Sequence, residues 1–139
     1  MKLTATDLGR RGACEDGLER WRELFREEPV EITVAFCTQH QELDYDWAAM
    51  HLLPSVLQIE YERQCAPLWA EFEHQNEVLL YEYECQCATQ RGEHQHPIPW
   101  GEHQHPIPLA NYERQRAVLR AEYDRQRARL FGSLAERTP

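Results

Sequence analysis

An eleven-residue repeat that starts at an aromatic residue constrains this chain more than any other feature. Tyr61 begins one unit, and Phe72, Tyr83, Tyr112 and Tyr123 begin the others. The aromatic position 1 and the often leucine position 8 fall on one narrow stripe of an α-helix, while Glu, Arg, Gln and Ala fill most other positions. Because an eleven-residue period corresponds to about 3.67 residues per turn, the repeat predicts long, nearly straight helices.

The repeat loses its phase between Tyr83 and Tyr112, and an insertion explains the loss. These tyrosines are 29 positions apart, which is one period plus 18, and residues 92–109 contain the unit GEHQHPIP, followed by Trp or Leu, twice in tandem. Four prolines and two glycines in this stretch argue against a helix. We expect 92–109 to be a loop inserted into the array, and Pro67 to kink or restart the first repeat helix.

The two arms of the array carry opposite charge. Residues 55–91 contain seven acidic and two basic side chains, whereas 110–139 contain seven arginines and four acidic side chains. This contrast favours an antiparallel helical hairpin between an acidic helix over 55–91 and a basic helix over 110–131, although each exposed ion pair contributes only about 0–1 kcal/mol. Residues 132–139 then form a tail.

Residues 1–54 predict a head of short helices. We expect helix caps at Thr6 or Asp7, at Thr33 and at Asp44 or Asp46. Residues 15–26 place one apolar stripe at helical spacing, namely Leu18, Trp21, Leu24 and Phe25. The chain therefore predicts a single all-α domain, residues 1–139, in which a helical head precedes the hairpin.

Composition excludes several classes of protein. A net charge of −9 argues against general binding to the phosphate backbone of nucleic acids. No apolar run reaches the ~18 residues of a membrane span, and the N-terminus lacks a signal peptide, so we expect a cytoplasmic protein with reduced cysteines. Tyr112 and Tyr123 alternate with arginines and could stack on single-stranded nucleic acid, but they occupy the core position of the repeat.

No catalytic constellation stands out. Cys14 precedes His40 and Asp44 or Asp46, but their spacing gives no sign that they converge. The small residues around Cys14 indicate a tight helix crossing with a buried cysteine. Cys85 and Cys87 occupy positions that hold arginine in other repeat units. We expect neither enzymatic activity nor a cofactor.

The strongest alternative is a metal site in the insert. His94, His96, His103 and His105 form two His-x-His pairs downstream of Cys85 and Cys87, and these side chains are good ligands for Zn²⁺, Ni²⁺ or Cu²⁺. Their spacing matches no usual zinc framework, and duplication of one nine-residue unit explains all four histidines. We expect a surface loop and keep metal binding as the alternative function.

Two motifs resemble a group of small uncharacterised proteins from bacteriophages and mobile elements. The motifs are the segment GACxxGL at 12–18, with DWAA at 46–49, and the tandem units of the type YERQCAPLWAE at 61–71. In that group the repeat tends to read AEYER, and the resemblance covers most of the chain except 92–109. It implies a phage-encoded accessory protein, of a kind that often inhibits host factors or anti-phage defence.

These observations favour a non-enzymatic protein that binds another protein. The acidic arm exposes a run of glutamates that could steer a basic partner, namely Glu71, Glu73, Glu77, Glu82 and Glu84. An acidic surface is also what solubility alone favours. The arms could pair within one chain or between the two chains of a homodimer.

Overall fold

The protein is all-α. The computed structural model describes residues 1–93 and 107–138, which form six helices and one two-stranded sheet. The helices are α1 (Ala5–Arg10), α2 (Glu15–Phe25), α3 (Val34–Gln39), α4 (Tyr45–Leu52), α5 (Ser55–Glu93) and α6 (Ile107–Glu136). Among these helices, none combines the length and the apolar character needed to cross a membrane.

The chain divides into two compact units, where the sequence predicts one domain. The head unit comprises Met1–Ala66 and Asp124–Pro139, and the hairpin unit comprises Pro67–Tyr123. The head unit thus includes the first residues of α5 and the last residues of α6, in addition to the short helices.

The head helices begin at capping residues, one of which differs from the expectation. Thr4 caps α1, and Asp7 completes a reciprocal capping box in which the backbone N–H of Thr4 donates to Oδ2 of Asp7 at 3.0 Å. The prediction of Thr6 or Asp7 as the cap was therefore wrong. Thr33 caps α3 as expected, and Asp44 rather than Asp46 caps α4.

A small antiparallel sheet was not expected. Strand β1 (Lys2–Leu3) pairs with β2 (Val30–Glu31), with Leu3 opposite Val30. Two residues are too few to display the alternation by which a strand is recognised in a sequence. The pairing holds the first residues of the chain beside Val30 and Glu31, in the segment between α2 and α3.

The core of the head unit is completed by the last turns of α6. Phe131, Leu134 and Ala135 are buried together with Trp21 and Ile32. The expectation that the basic helix ends at 131 and continues as a tail was wrong, because α6 extends to Glu136. Gly132, the first residue of the expected tail, is a close-contact position inside α6: a Cβ built on it would lie 2.7 Å from the Cα of Val34.

The long helices also differ from their expected limits. Helix α5 continues through Pro67, so no restart occurs there. It reaches Glu93, and α6 begins at Ile107. Both ends of the expected loop at 92–109 are therefore helical, and residues 94–106 lie outside the described part of the chain.

In the hairpin unit, α5 and α6 pair through the first residues of their repeat units. The rings of Phe72 and Tyr123 stack with their centroids 5.1 Å apart, and those of Tyr83 and Tyr112 stack at 5.0 Å. As the chain advances by eleven residues on α5, its partner on α6 recedes by eleven. The two helices are therefore antiparallel, and their register follows the period of the sequence.

Candidate partner-binding surface

The five glutamates expected to bind a partner are all exposed, but they do not form one surface. At about 100° per residue, Glu73, Glu77 and Glu84 lie within about 40° of one another around α5. Glu71 and Glu82 lie about 150° away from that group. The side of α5 that carries Phe72 and Tyr83 faces α6 and separates the two groups.

The larger group lies on one flank of the hairpin unit, which we call flank A (Glu73, Glu77 and Glu84), and two of its members line an open cleft there. The cleft has a volume of about 660 Å³, and Glu73 and Glu77 line it together with Trp69 and Phe72. Arg116 and Arg120 of α6 line the same cleft, so it presents both charges.

The smaller group lines a cleft on the other flank, flank B (Glu71 and Glu82). This cleft has a volume of about 670 Å³ and is more apolar, because Val78 and Val118 contribute to its lining. Arg114 of α6 also lines it. The carboxylate of Glu71 accepts a hydrogen bond from Nε2 of Gln75 one turn later on α5.

In the basic arm, one arginine and both repeat tyrosines contact aromatic rings of the protein itself. The guanidinium of Arg120 lies 5.9 Å from the ring centroid of Phe72 and 5.6 Å from that of Tyr123. Tyr123 is buried, and Tyr112 stacks on Tyr83. Because both tyrosines already stack within the protein, the arrangement gives nucleic-acid bases no free platform on them.

An ion pair in the head unit between a buried arginine and an exposed aspartate was missed by the sequence analysis. Arg127 is 9% exposed and pairs with Oδ2 of Asp46, while Tyr61 donates a hydrogen bond to Oδ1 of the same carboxylate at 3.0 Å. Burial raises the pKa of the Tyr61 phenol well above its usual value. The sequence does contain a signal for the burial of Arg127. It follows Tyr123 by four residues, which places it on the apolar stripe of the repeat helix.

The possible nucleophilic set is not assembled. Cys14 is exposed and occupies the N-cap position of α2, so its expected burial was wrong. No hydrogen bond in the described part of the chain joins it to His40, whose Nδ1 lies 3.2 Å from Oε1 of Glu42. The fully buried cysteine is Cys37, and burial raises the pKa of its thiol to about 12. Such a thiol is a poor nucleophile near neutral pH.

The residues of the alternative metal site fall largely outside the described chain. His94, His96, His103 and His105 lie in 94–106. Across 1–93 and 107–138, no group of three or more His, Cys, Asp or Glu side chains is arranged to hold a metal ion. Cys85 is exposed and Cys87 is half-buried.

Comparison with protein families, with curated proteins and with solved structures gives no match for this chain.

Proposed function

We propose that this protein acts by binding another protein through the acidic flanks of helix α5, without catalysing a reaction. The observation that carries the proposal is the state of the five glutamates. All are exposed, and none takes part in an ion pair within residues 1–93 and 107–138. Their charge is therefore available to a partner.

The partner that suits these flanks is a basic protein. The chain carries a net charge of −9, and exposed carboxylates raise the local concentration of positively charged surfaces and accelerate encounter. Flank A adds Trp69, 42% exposed, beside its glutamates. An exposed aromatic side chain next to charge is a common anchor in protein interfaces.

The resemblance to phage proteins extends the proposal to the identity of the partner. A basic host protein, inhibited by occupation of its cationic surface, would fit an accessory or anti-defence role. This extension rests on the GACxxGL motif and the tandem repeat alone.

The division of the glutamates into two flanks permits a sharper experiment than reversal of all five. One variant carries Glu73→Lys, Glu77→Lys and Glu84→Lys, and a second carries Glu71→Lys and Glu82→Lys. Proteins captured from host lysate by the wild type are identified by mass spectrometry, purified and measured for association rate at low and high salt. We expect the flank A variant to lose most of the association rate, with a larger loss at low salt.

A matched control distinguishes the flank from the net charge. Glu19→Lys, Glu28→Lys and Glu31→Lys reverse three exposed charges of the head unit that are not on α5, and they change the net charge by the same amount as the flank A variant. The control should keep most of the wild-type association rate. Equal losses in the control and in the flank A variant would show that only net charge matters, and unchanged binding in both flank variants would reject the proposal.

A further inference from the structure

Flank B presents two valines to solvent at the same level of the hairpin unit. Val78 is 44% exposed and Val118 is 65% exposed, and both line the cleft on this flank. Each follows the aromatic residue that begins its repeat unit by six residues. Because the repeat aromatics of α5 and α6 stack in antiparallel register, the two valines lie opposite each other, midway between the two stacks.

The repeat itself does not require valine at this position. The other units have Pro67, Thr89 and Arg129 there, and the rings that stack between α5 and α6 belong to the first residues of the units. Valine thus occurs only in the two units whose seventh residues line the same cleft. It is a weaker helix former than Arg or Ala and leaves apolar surface in water, so this pair indicates a contact surface.

The charges of flank B differ across the width of the cleft. Glu71 and Glu82 line its α5 edge, eleven residues apart and therefore about 16 Å apart along the helix, and Arg114 lines its α6 edge. A uniformly basic surface would meet Arg114, and a phosphate would meet both glutamates. The surface that complements this cleft has cations along one edge and an apolar strip beside them.

An α-helix can present that surface. Residues eleven apart return to nearly the same side of a helix after three turns, with the same rise as the two glutamates of α5. Two basic residues of a partner helix can therefore reach Glu71 and Glu82 together, while apolar residues between them meet Val78 and Val118. Docking of an amphipathic helix into a groove is a common mode of peptide recognition.

We propose that flank B binds an amphipathic helix of the basic partner, in which two basic residues eleven apart form one edge and apolar residues form the strip beside it. This inference rests on the proposed function and names the part of the partner that docks on flank B.

Two synthetic peptides of identical composition test the spacing. Both are helical peptides of alanine and glutamine with two leucines. In the first, two lysines are eleven residues apart with the leucines between them, and in the second, one lysine is moved by two residues to the opposite side of the helix. In ¹H–¹⁵N spectra of the full chain at low salt, we expect the first peptide to shift the Val78 and Val118 resonances saturably. It should bind about three- to five-fold more tightly than the second.

Variants of flank B identify the groups that the peptide contacts. In a protein carrying Glu71→Gln and Glu82→Gln, the preference for the first peptide should disappear. Val118→Thr replaces one methyl group by a hydroxyl and should weaken both peptides about two- to five-fold. Val56→Thr makes the same change at an exposed valine of the head unit and should leave both affinities unchanged.

Equal affinity for the two peptides, or no saturable shift with either, would overturn this docking site. Shifts of the Val78 and Val118 resonances with protein concentration alone would assign the cleft to a second copy of the chain and would also overturn it. Neither result contradicts the proposed function, because the flank A variant measures the binding of a basic protein separately.

Discussion

Arg127 of the basic repeat arm forms an ion pair with Asp46 of helix α4, although its own side chain is only 11% exposed. Tyr61, from the acidic arm, donates to the other oxygen of Asp46 at 3.0 Å. One carboxylate of the head thus binds a residue from each long helix. Nη1 of Arg127 also lies 3.4 Å from Oδ1 of Asp124, which supplies a second negative charge.

Removing Asp46 should cost more stability than removing the charge of Arg127. Asp46→Ala leaves a mostly buried guanidinium with a weaker partner, and we expect a loss of about 1–3 kcal/mol. Arg127→Met replaces the cation by an apolar side chain of similar length and should cost less, because no charge then has to be buried. Urea denaturation of both variants measures the difference. A larger loss in Arg127→Met would contradict this account.

Stability should fall at alkaline pH. Burial raises the pKa of Cys37 from 9.0 to about 12, so above pH 9 the unfolded chain loses this proton while the folded protein keeps it. The free energy of unfolding then decreases by about 1.4 kcal/mol per pH unit. Tyr45 and Tyr61, whose pKa values burial also raises, contribute in the same direction above pH 10.

The variant Cys37→Ala isolates the first of these contributions. Between pH 9 and 10 its stability should depend on pH less steeply than that of the wild type, as measured by denaturant unfolding at each pH. Cys14→Ala, which removes an exposed thiol, serves as the control and should behave as the wild type. An equally steep decline in Cys37→Ala would locate the alkaline transition elsewhere.

A single methyl group at Gly132 should destabilise the head unit. In Gly132→Ala the new Cβ would approach the Cα of Val34 to 2.7 Å and the carbonyl oxygen of Thr33 to 3.1 Å, and backbone atoms cannot rotate away. We expect a loss of about 1–3 kcal/mol despite the higher helix propensity of alanine. Gly9→Ala is the control: its Cβ would lie 3.6 Å from Leu18, an ordinary contact, so thermal denaturation should show little loss or a small gain.

Excision of residues 92–109 should change the oligomeric state while keeping the helices. The deletion restores the eleven-residue phase and joins α5 to α6 as one helix. Tyr83 could then no longer stack on Tyr112 of its own chain, and the same stack would form between two chains. We expect a helical circular dichroism spectrum with a dimer by light scattering. A Gly/Ser segment of equal length in place of 94–106 should keep the oligomeric state of the wild type, and an unfolded excision variant would refute the insertion hypothesis.

Local sequence patterns predicted the presence of the helices better than the residues at which the helices end or the residues that pack against them. Helical periodicity identified Leu18 and Trp21 as buried, and the caps at Thr33 and Asp44 follow from the chemistry of the first turn. The continuation of α6 past Gly132 depends on close contact with Val34, which is distant in sequence. A glycine that permits close packing and one that ends a helix are identical in a local pattern.

The candidate site also has features that a local sequence pattern predicts and features that depend on tertiary contacts. The sequence analysis names five of the seven glutamates in the acidic arm, and the helical angle alone would already divide these five into two groups. The arginines that line both flanks are placed there by the pairing with α6, and the exposure of Cys14 at the N-cap of α2 depends on how the head unit folds. Neither can be read from the spacing of residues along the chain.

The contribution of α6 to the head core has a consequence for synthesis on the ribosome. Phe131, Leu134 and Ala135 are buried against residues from the first third of the chain, including Leu3 and Trp21. The first helices therefore emerge long before the residues that cover them, and their apolar faces stay uncovered until the end of α6 has been translated. Folding of the head accordingly waits for the last turns of α6, and a chain truncated before Phe131 would expose an incomplete core to aggregation and proteolysis.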